Sequence, residues 1–407
     1  MKDDGRKASI FSAFRHYNYR LWFAGQLISL FGTWMQGTAQ GFLVFELTHS
    51  PAWLGYVGFA AGIPVWLFSS WAGSLADRYS KRTILMTSQI SMMILAFSLA
   101  ILTFLDLIHP VHLIIFSFLL GVANTFDAPA RQAFVVEMVG KDDLMNAIAL
   151  NSGMVNGATA VGPAFAGVTY ALFGPAWCFA INGVSFIGVI GALMFMRLQP
   201  FVKAVKKKSV LHDILDGFRY IKHQPVMLGL ILVVAFSSGF GLAFATLFPA
   251  WAVKILHGDA ATNGFMQSAR GAGSMLAALM VAAISRVNKM GKVLTASLVI
   301  FPVFLMIFSL AHTLVPSLIV LFFTGIFLLF VISLANGLIQ TNVADEYRGR
   351  VMGVHTMTFF GMMPVGALIY GQLAQHFGEV AAVQVSAGVL LVFSAVVFVF
   401  FPRLREV

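Results

Sequence analysis

Residues 73–82 read Gly73-Ser74-Leu75-Ala76-Asp77-Arg78-Tyr79-Ser80-Lys81-Arg82 and form a short charged stretch between two long apolar ones. No lysine or arginine occurs between Arg20 and Arg78, nor between Arg82 and Arg131. Each gap has room for two membrane-spanning helices of about 20 residues and a short turn. The charged stretch therefore predicts a loop at a membrane surface, between two helical hairpins.

The same spacing continues along the chain of 407 residues. Three further stretches of similar length lack lysine and arginine: Lys141 to Arg197, Lys292 to Arg348 and Arg350 to Arg403. A sixth, from Lys222 to Arg286, is interrupted only by Lys254 and Arg270. Only 10% of the residues are charged, against roughly 25% in soluble domains. Six hairpins predict an all-α membrane protein of twelve transmembrane helices.

Helix-breaking residues mark the turn inside most of these hairpins. The predicted turns lie at Thr48–Pro51, His109–Pro110, Phe173–Pro175, His312–Pro316 and Phe377–Glu379. Of the 26 lysines and arginines, all but Lys254 and Arg270 fall at the termini, in the loops between hairpins, or at the adjoining helix ends. By the positive-inside rule, both termini are then cytoplasmic, in a bacterial inner membrane.

The chain divides into two six-helix bundles, residues 1–196 and 225–407, joined by a cytoplasmic linker, residues 197–224. The linker contains apolar residues at helical spacing, which predicts an amphipathic helix at the membrane surface. At an offset of 204 residues, four glycines of the first half match four of the second: Gly121 and Gly325, Gly157 and Gly361, Gly162 and Gly366, Gly167 and Gly371. Such parallel repeats are typical of transporters whose binding site lies between the halves.

The charged loop resembles the signature loop of the major facilitator superfamily through Gly73, the pair Asp77-Arg78, and the basic residues Lys81 and Arg82. Ser80 stands where a second glycine is usual. The resemblance implies a conformational switch, in which the loop pairs with an acid at the end of the fourth span, here best matched by Glu137. That pairing would hold the halves together in the outward-open state.

Three further stretches resemble the bacterial secretion-effector branch of the superfamily, which includes the enterobactin exporter. They are residues 14–26, 126–134 and 347–353. The fifth span also resembles the fifth-helix motif of the antiporter branches, through Gly153, Gly157, Gly162, Pro163 and Gly167. These resemblances imply export rather than import.

Ionisable residues at membrane depth are the candidates for coupling and substrate binding. Asn124, Asp127 and Arg131 share one face of the fourth span, where Asp127 and Arg131 form either a locked structural bridge or a protonatable coupling site. Arg270 lies about eight residues into the eighth span and has no acid nearby in the sequence. Gln36 and Gln340 would line the cavity or form hydrogen bonds between helices.

The composition and motifs favour a monomeric, proton-coupled exporter of small amphipathic molecules such as siderophores or drugs. The alternatives are a lysophospholipid flippase, which needs no ion gradient, and a membrane receptor or assembly protein without transport activity. With one cysteine, Cys178, a thiolate metal cluster is excluded. The sequence has no phosphate-binding loop and no catalytic motif, so we expect no ATP, metal, cofactor or enzyme activity. The net charge of +10 serves membrane orientation and not nucleic-acid binding, since no soluble domain carries it.

Overall fold

The computed structural model describes residues 11–140, 142–198, 210–284 and 290–405. The side chains of Ser70, Ala76, Asp77, residues 210–214 and residues 282–284 are outside that description. Residues 199–209 of the predicted linker, with Lys203, Lys206, Lys207 and Lys208, also lie outside the described residues. The described part of the chain is helical, with no β-strand.

The described residues form fourteen α-helices. They are α1 (Tyr17–Thr48), α2 (Pro51–Arg78), α3 (Lys81–Phe104), α4 (Pro110–Val139), α5 (Leu144–Phe173), α6 (Pro175–Phe195), α7 (Val210–His223), α8 (Pro225–Phe236), α9 (Phe248–Lys254), α10 (Ala260–Ile284), α11 (Met290–Ser309), α12 (Leu314–Asn342), α13 (Arg348–Phe377) and α14 (Glu379–Phe400). Short 3₁₀ helices lie at Ser12–Arg15 and Pro402–Arg405.

Among the described residues, nine segments are long and apolar enough to cross a bilayer, counting α8 to α9 as one. The helices α1, α5 and α10 fall short of that hydropathy, although each has at least 25 residues. They carry polar side chains and glycines because they form the contacts between helices. The predicted total of twelve spans includes these three helices. They are counted as spans because of their length and their position between apolar helices.

The predicted breaker residues coincide with the helix boundaries. Proline occupies the first turn of α2, α4, α6 and α8, where its missing N–H has no partner to lose. Gly174 and Gly378, 204 residues apart, have φ angles of 88° and 87°. Two histidines also match, His49 in the α1–α2 turn and His257 in the α9–α10 turn. Their φ angles are 51° and 50°. The two halves thus turn with the same backbone conformations.

The segment from α8 to α9 is not a regular α-helix. A π-helical turn at Ser237–Leu242 and a 3₁₀ turn at Ala243–Leu247 separate the two helices. The hydroxyl of Tyr370 donates a hydrogen bond of 2.7 Å to the carbonyl oxygen of Phe240, which the altered backbone leaves available. The backbone groups that such turns leave unpaired need a hydrogen-bond partner from elsewhere in the protein, since the apolar surroundings supply none.

Two crossings join the halves, one between α5 and α10 and the other between α2 and α13. In the first, a Cβ on Gly167 would lie 2.5 Å from the carbonyl oxygen of Ala260, and Gly264 lies directly against the backbone of Pro163. In the second, a Cβ on Gly55 would lie 2.8 Å from the carbonyl oxygen of Ala367. Both crossings need glycine because the helix backbones touch.

Among the described residues, the contacts that join the halves lie toward one end of the bundle. We call the end that carries the α2–α3 loop the basic end, and the end that carries the α1–α2 turn the opposite end. At the opposite end the Ser50 hydroxyl donates a hydrogen bond of 2.7 Å to Gln375, and the Gln372 amide donates one of 3.0 Å to Tyr56. Several glycines toward the basic end would meet no atom within 4 Å if they carried a Cβ: Gly73, Gly153, Gly157, Gly337 and Gly353. The cleft between the halves is therefore closed at the opposite end and open at the basic end.

The predicted amphipathic helix is α7, and it docks on the second half. A Cβ on Gly217 would lie 2.8 Å from the carbonyl oxygen of Arg350, and the rings of Tyr220 and Tyr347 stack with centroids 4.5 Å apart. Leu215 and Phe218 remain exposed, with 59% and 46% of their surface accessible. This apolar face is free to lie on a membrane surface.

Candidate substrate cleft and switch loop

Arg270 is held in the middle of α10 by close backbone packing on both sides. A Cβ on the next residue, Gly271, would overlap the carbonyl of Thr159 in α5. On the other side, Gly325 in α12 packs directly against the carbonyl of Arg270, so a side chain at position 325 would not fit. The backbone of Arg270 is therefore fixed where the first and second halves meet, and its guanidinium carbon lies 6.0 Å from the ring centre of Phe248.

Among the described residues, the guanidinium of Arg270 has no counter-charge. Its Nε atom is buried and lacks a hydrogen-bond partner within the described structure. None of the ion pairs formed by the described carboxylates includes it. An uncompensated charge at membrane depth is costly. The arrangement suits a ligand that brings an anionic group, because such a group would accept the free N–H bonds.

Two amide residues extend this polar stripe along α10, at the i, i+4 and i+7 positions Asn263, Gln267 and Arg270. The Gln267 amide donates to the Asn263 carbonyl oxygen at 3.3 Å, and its own oxygen accepts from the Thr38 hydroxyl of α1 at 3.4 Å. The Nδ2 group of Asn263 is buried and has no partner in the described part of the chain. The stripe therefore offers unused donors at the closed end of the cleft.

Asp127 is fully enclosed and fully bonded. One carboxylate oxygen lies 3.2 Å from Nε of Arg131, the other accepts a 2.9 Å hydrogen bond from Gln89 of α3, and 1% of the residue's surface is exposed. Asn124, predicted to share this face, instead donates to the carbonyl of Leu120 in its own helix. In this conformation the Asp127–Arg131 pair links α3 to α4 and is not open to the cleft.

The two glutamines predicted to line the cleft lie in different surroundings. Gln36 is buried in the first half, where its oxygen accepts a 2.5 Å hydrogen bond from Asn182 of α6. Its Nε2 atom has no partner among the described residues. Gln340 is exposed near the basic end and donates to Asn336 one turn earlier. The structure brings neither of them to Arg270.

The switch loop lies beside the end of α4, as the resemblance implies. Nζ of Lys81 is 2.5 Å from the carboxylate of Glu137, and Arg82 donates a 3.0 Å hydrogen bond to the carbonyl of Met194 at the end of α6. Arg78 is exposed, and Gly73 has open space beside it. The side chain of Asp77 is outside the described residues, so its pairing with Glu137 stays a prediction.

The glycine motif of α5 divides into two parts. Gly162 packs on Trp34 of α1, and a Cβ there would lie 2.8 Å from that tryptophan's Cβ. Pro163 and Gly167 form the crossing with α10 described above. Gly153 and Gly157 instead face open space toward the basic end. Gly162, Pro163 and Gly167 thus form close contacts between helices, and Gly153 and Gly157 lie where the cleft is open.

The stretch at residues 14–26 fastens the start of α1 to the start of α5. The Tyr19 hydroxyl donates a 3.0 Å hydrogen bond to the carbonyl of Ala147, and His16 lies 2.8 Å from the carboxylate of Asp143. Hydrogen bonds from Ser12 and His16 lower the pKa of the Asp143 carboxyl. These contacts hold the basic end of the first half together.

Sequence reasoning missed the polar pairs of the opposite end. Lys254 forms a 2.7 Å ion pair with Glu379 of α14 and also lies 5.6 Å from the ring centre of Phe45 in the other half. Glu46 is exposed and accepts a hydrogen bond from the hydroxyl of Tyr170. The partners of these pairs are 124 or more residues apart, so no local pattern indicates them.

We expect Asp77→Asn to slow transport at least about tenfold, which equals a loss of about 1.4 kcal/mol from one conformational state. Substrate affinity and protein level should stay unchanged, because the loop lies far from Arg270. Transport into inverted vesicles and equilibrium binding of the same substrate would measure the two effects. Asp142→Asn, a change of an exposed acid at the same end, is the matched control. A normal transport rate in Asp77→Asn would show that the loop is not a switch.

Comparison with known proteins agrees with this architecture. A family described as transmembrane secretion effector matches residues 8–407. The chain is 25% identical to the staphyloferrin A transporter of Staphylococcus aureus, over 94% of this chain and 96% of that protein. It is 24% identical to the enterobactin exporter of Citrobacter koseri, over 96% and 93%. A bacterial homologue of the lysosomal transporter Spinster has the same fold, with a TM-score of 0.73, 14% identity and 98% coverage of both chains.

Proposed function

Because the chain belongs to the transmembrane secretion effector family of the major facilitator superfamily, we propose that it exports small amphipathic anions, such as siderophores, in exchange for protons. Members of this family are multi-pass membrane transporters rather than enzymes. The observation that supports an anionic cargo is the guanidinium of Arg270 between the halves, whose Nε atom has no partner within the described residues. The names of the two relatives support a siderophore as the cargo.

Alternating access supplies the transport cycle. The structure is open at the basic end, which the positive-inside rule assigns to the cytoplasm of a bacterial inner membrane. This conformation would then be the inward-open one, ready to take cargo from the cytoplasm. Cargo bound at Arg270 would draw the open ends of α5 and α10 together around Gly153 and Gly157, while the glycine crossing at Gly264 separates.

The test of export uses a strain that lacks its own exporters. Expression of the protein should lower the intracellular accumulation of a catecholate siderophore, and a protonophore should cancel that effect. Efflux that continues undiminished without the proton gradient would overturn proton coupling and favour a gradient-independent flippase. Efflux of neutral compounds alone would overturn the anionic cargo.

Membrane orientation can be tested with single cysteines at the two ends. In a Cys178→Ser background, Leu107→Cys lies in the exposed α3–α4 turn and Lys222→Cys in the exposed last turn of α7. A membrane-impermeant thiol reagent added to intact cells should modify Leu107→Cys and leave Lys222→Cys unmodified. Lysed cells should show both sites modified, as the control for reactivity. The reverse pattern would invert the topology.

Asp127 is the acid that we propose to carry the proton. Its bridge to Arg131 would open during the cycle, in which Arg131, at 29% exposure, is the more accessible partner and Asp127 is buried. Asp127→Asn should abolish export against a gradient and leave substrate exchange between equal concentrations intact, since exchange needs no proton. Gln89→Leu removes a hydrogen bond from the same carboxylate without removing the acid. If both Asp127→Asn and Gln89→Leu lose export against a gradient and also lose exchange, then Asp127 has a structural role only.

A further inference from the structure

A groove on the outer flank of the first half has the dimensions of a lipid site. The helices α2 and α3 both pack on α4 but hardly touch each other, and α3 packs on α4 and α6 rather than on the second half. The gap between α2 and α3 is a cavity of about 570 Å³ with α4 as its floor. Its walls include Leu75 of α2, Tyr79 directly after α2, Ile94 of α3, and Leu119 of α4.

The groove faces away from the substrate cleft. Its floor residues on α4, Leu119, Val122 and Phe126, lie on one side of the helix, and Asn124 lies about half a turn away from them. Asn124 is exposed, and α1 contacts α4 on that same side through the bond from Gln40 to Ser117. The groove and the cleft are therefore on opposite sides of α4, and a groove ligand need not be cargo.

The polarity of the groove changes with depth. Tyr79 and Thr83 are exposed at its basic end, next to Arg78. Four hydroxyl residues follow α3 inward, and these are Thr83, Thr87, Ser88 and Ser91. Beyond them the lining is apolar. From Thr83 to Leu95 the helix rises about 18 Å, close to the half-thickness of a hydrocarbon core, about 15 Å.

One hydroxyl that lines the groove, that of Ser88, forms no hydrogen bond within the described structure. Ser88 is 6% exposed and lines the cavity. Within the described structure its hydroxyl appears in no hydrogen bond, unlike that of Thr87, which donates to the carbonyl of Thr83. Buried hydroxyls usually have a partner. Ser88 lies about 7 Å below Thr83 along the helix, at the depth where ester carbonyls follow a phosphate.

We propose that the groove binds an anionic glycerophospholipid from the leaflet at the basic end. The phosphate lies by Arg78 and Tyr79, an ester carbonyl accepts from Ser88, and an acyl chain lies along Ile94 and Leu119. The inference does not depend on which cargo the protein exports.

Photolabelling of the full-length protein tests the site. The protein is placed in phosphatidylcholine nanodiscs with a small fraction of phosphatidylglycerol that carries a diazirine in its acyl chain, and labelled peptides are mapped by mass spectrometry. We expect labels concentrated in residues 83–95 and 119–126. The same diazirine chain on phosphatidylcholine should label them about fivefold less, since one arginine near the surface favours an anionic lipid by about that factor.

Variants that fill the groove give the control. Ala123→Phe and Ser91→Phe should each remove most of the label, and either one suffices if the other fails to fold. Ile101→Phe, on the same helix at a 56% exposed position outside the groove, should leave it unchanged. Equal labelling of all lipid-facing helices would overturn the proposal. Displacement of the label by an exported siderophore, but not by excess phosphatidylglycerol, would also overturn it and make the groove a cargo entrance.

Discussion

Arg270→Gln is expected to weaken binding of an anionic substrate by about 10- to 150-fold, since hydrogen bonds to charged groups contribute about 1.5–3 kcal/mol. The expectation follows from the buried Nε atom, which has no partner within the described structure. Binding of a neutral analogue should change little. Isothermal titration of the purified protein would measure both. Arg219→Gln, at a side chain that is 77% exposed on α7, is the matched control.

The melting temperature of the protein without substrate distinguishes two roles of Arg270, binding of substrate and formation of a structural ion pair. If Arg270 is unpaired, replacing it with glutamine removes an uncompensated charge, so the melting temperature of the empty protein should stay equal or rise. If Arg270 instead had a structural partner, its loss would cost about 3–5 kcal/mol and lower the melting temperature. A lower melting temperature together with unchanged binding would contradict the assignment of Arg270 to the substrate.

Gly264→Val is expected to drive the protein out of the conformation described here. Gly264 lies against the backbone of Pro163 and Gly167, so a side chain cannot fit while α5 and α10 touch at the opposite end. Overpacking costs about 1–3 kcal/mol or more, which shifts the balance between two conformations about 5- to 150-fold. Spin labels placed on both halves should show the opposite end opening and the basic end closing.

The control for Gly264→Val is the same change at a glycine without neighbours. Gly191, inside α6, would meet no atom within 4 Å if it carried a Cβ. Gly191→Val should therefore carry the helix cost of a β-branched residue but leave the spin-label distances unchanged. If Gly264→Val keeps the opposite end closed, the crossing is not part of the conformational change. Transport by Gly264→Val should be lost if the valine prevents α5 and α10 from meeting.

The distribution of charge and breaker residues determined the helical hairpins. In lipid, each span must satisfy its own backbone hydrogen bonds, so a span is encoded by its local sequence. The predicted turns at Thr48–Pro51, His109–Pro110 and Phe173–Pro175 therefore coincide with the ends of helices. The sequence also indicated that Arg270 lies inside a helix and away from its ends, and the helix Ala260–Ile284 confirms this position.

What the side chains do at that depth was decided by the tertiary structure. Asp127 and Arg270 are both ionisable residues in apolar helices, yet Asp127 is bonded by Gln89 of a neighbouring helix and Arg270 is not bonded within the described residues. The closed end depends on contacts such as Ser50 with Gln375, which are 325 residues apart. The spacing of charges and helix breakers indicates which segments cross the membrane, but the contacts between helices depend on which faces meet, and this is a property of the packed bundle.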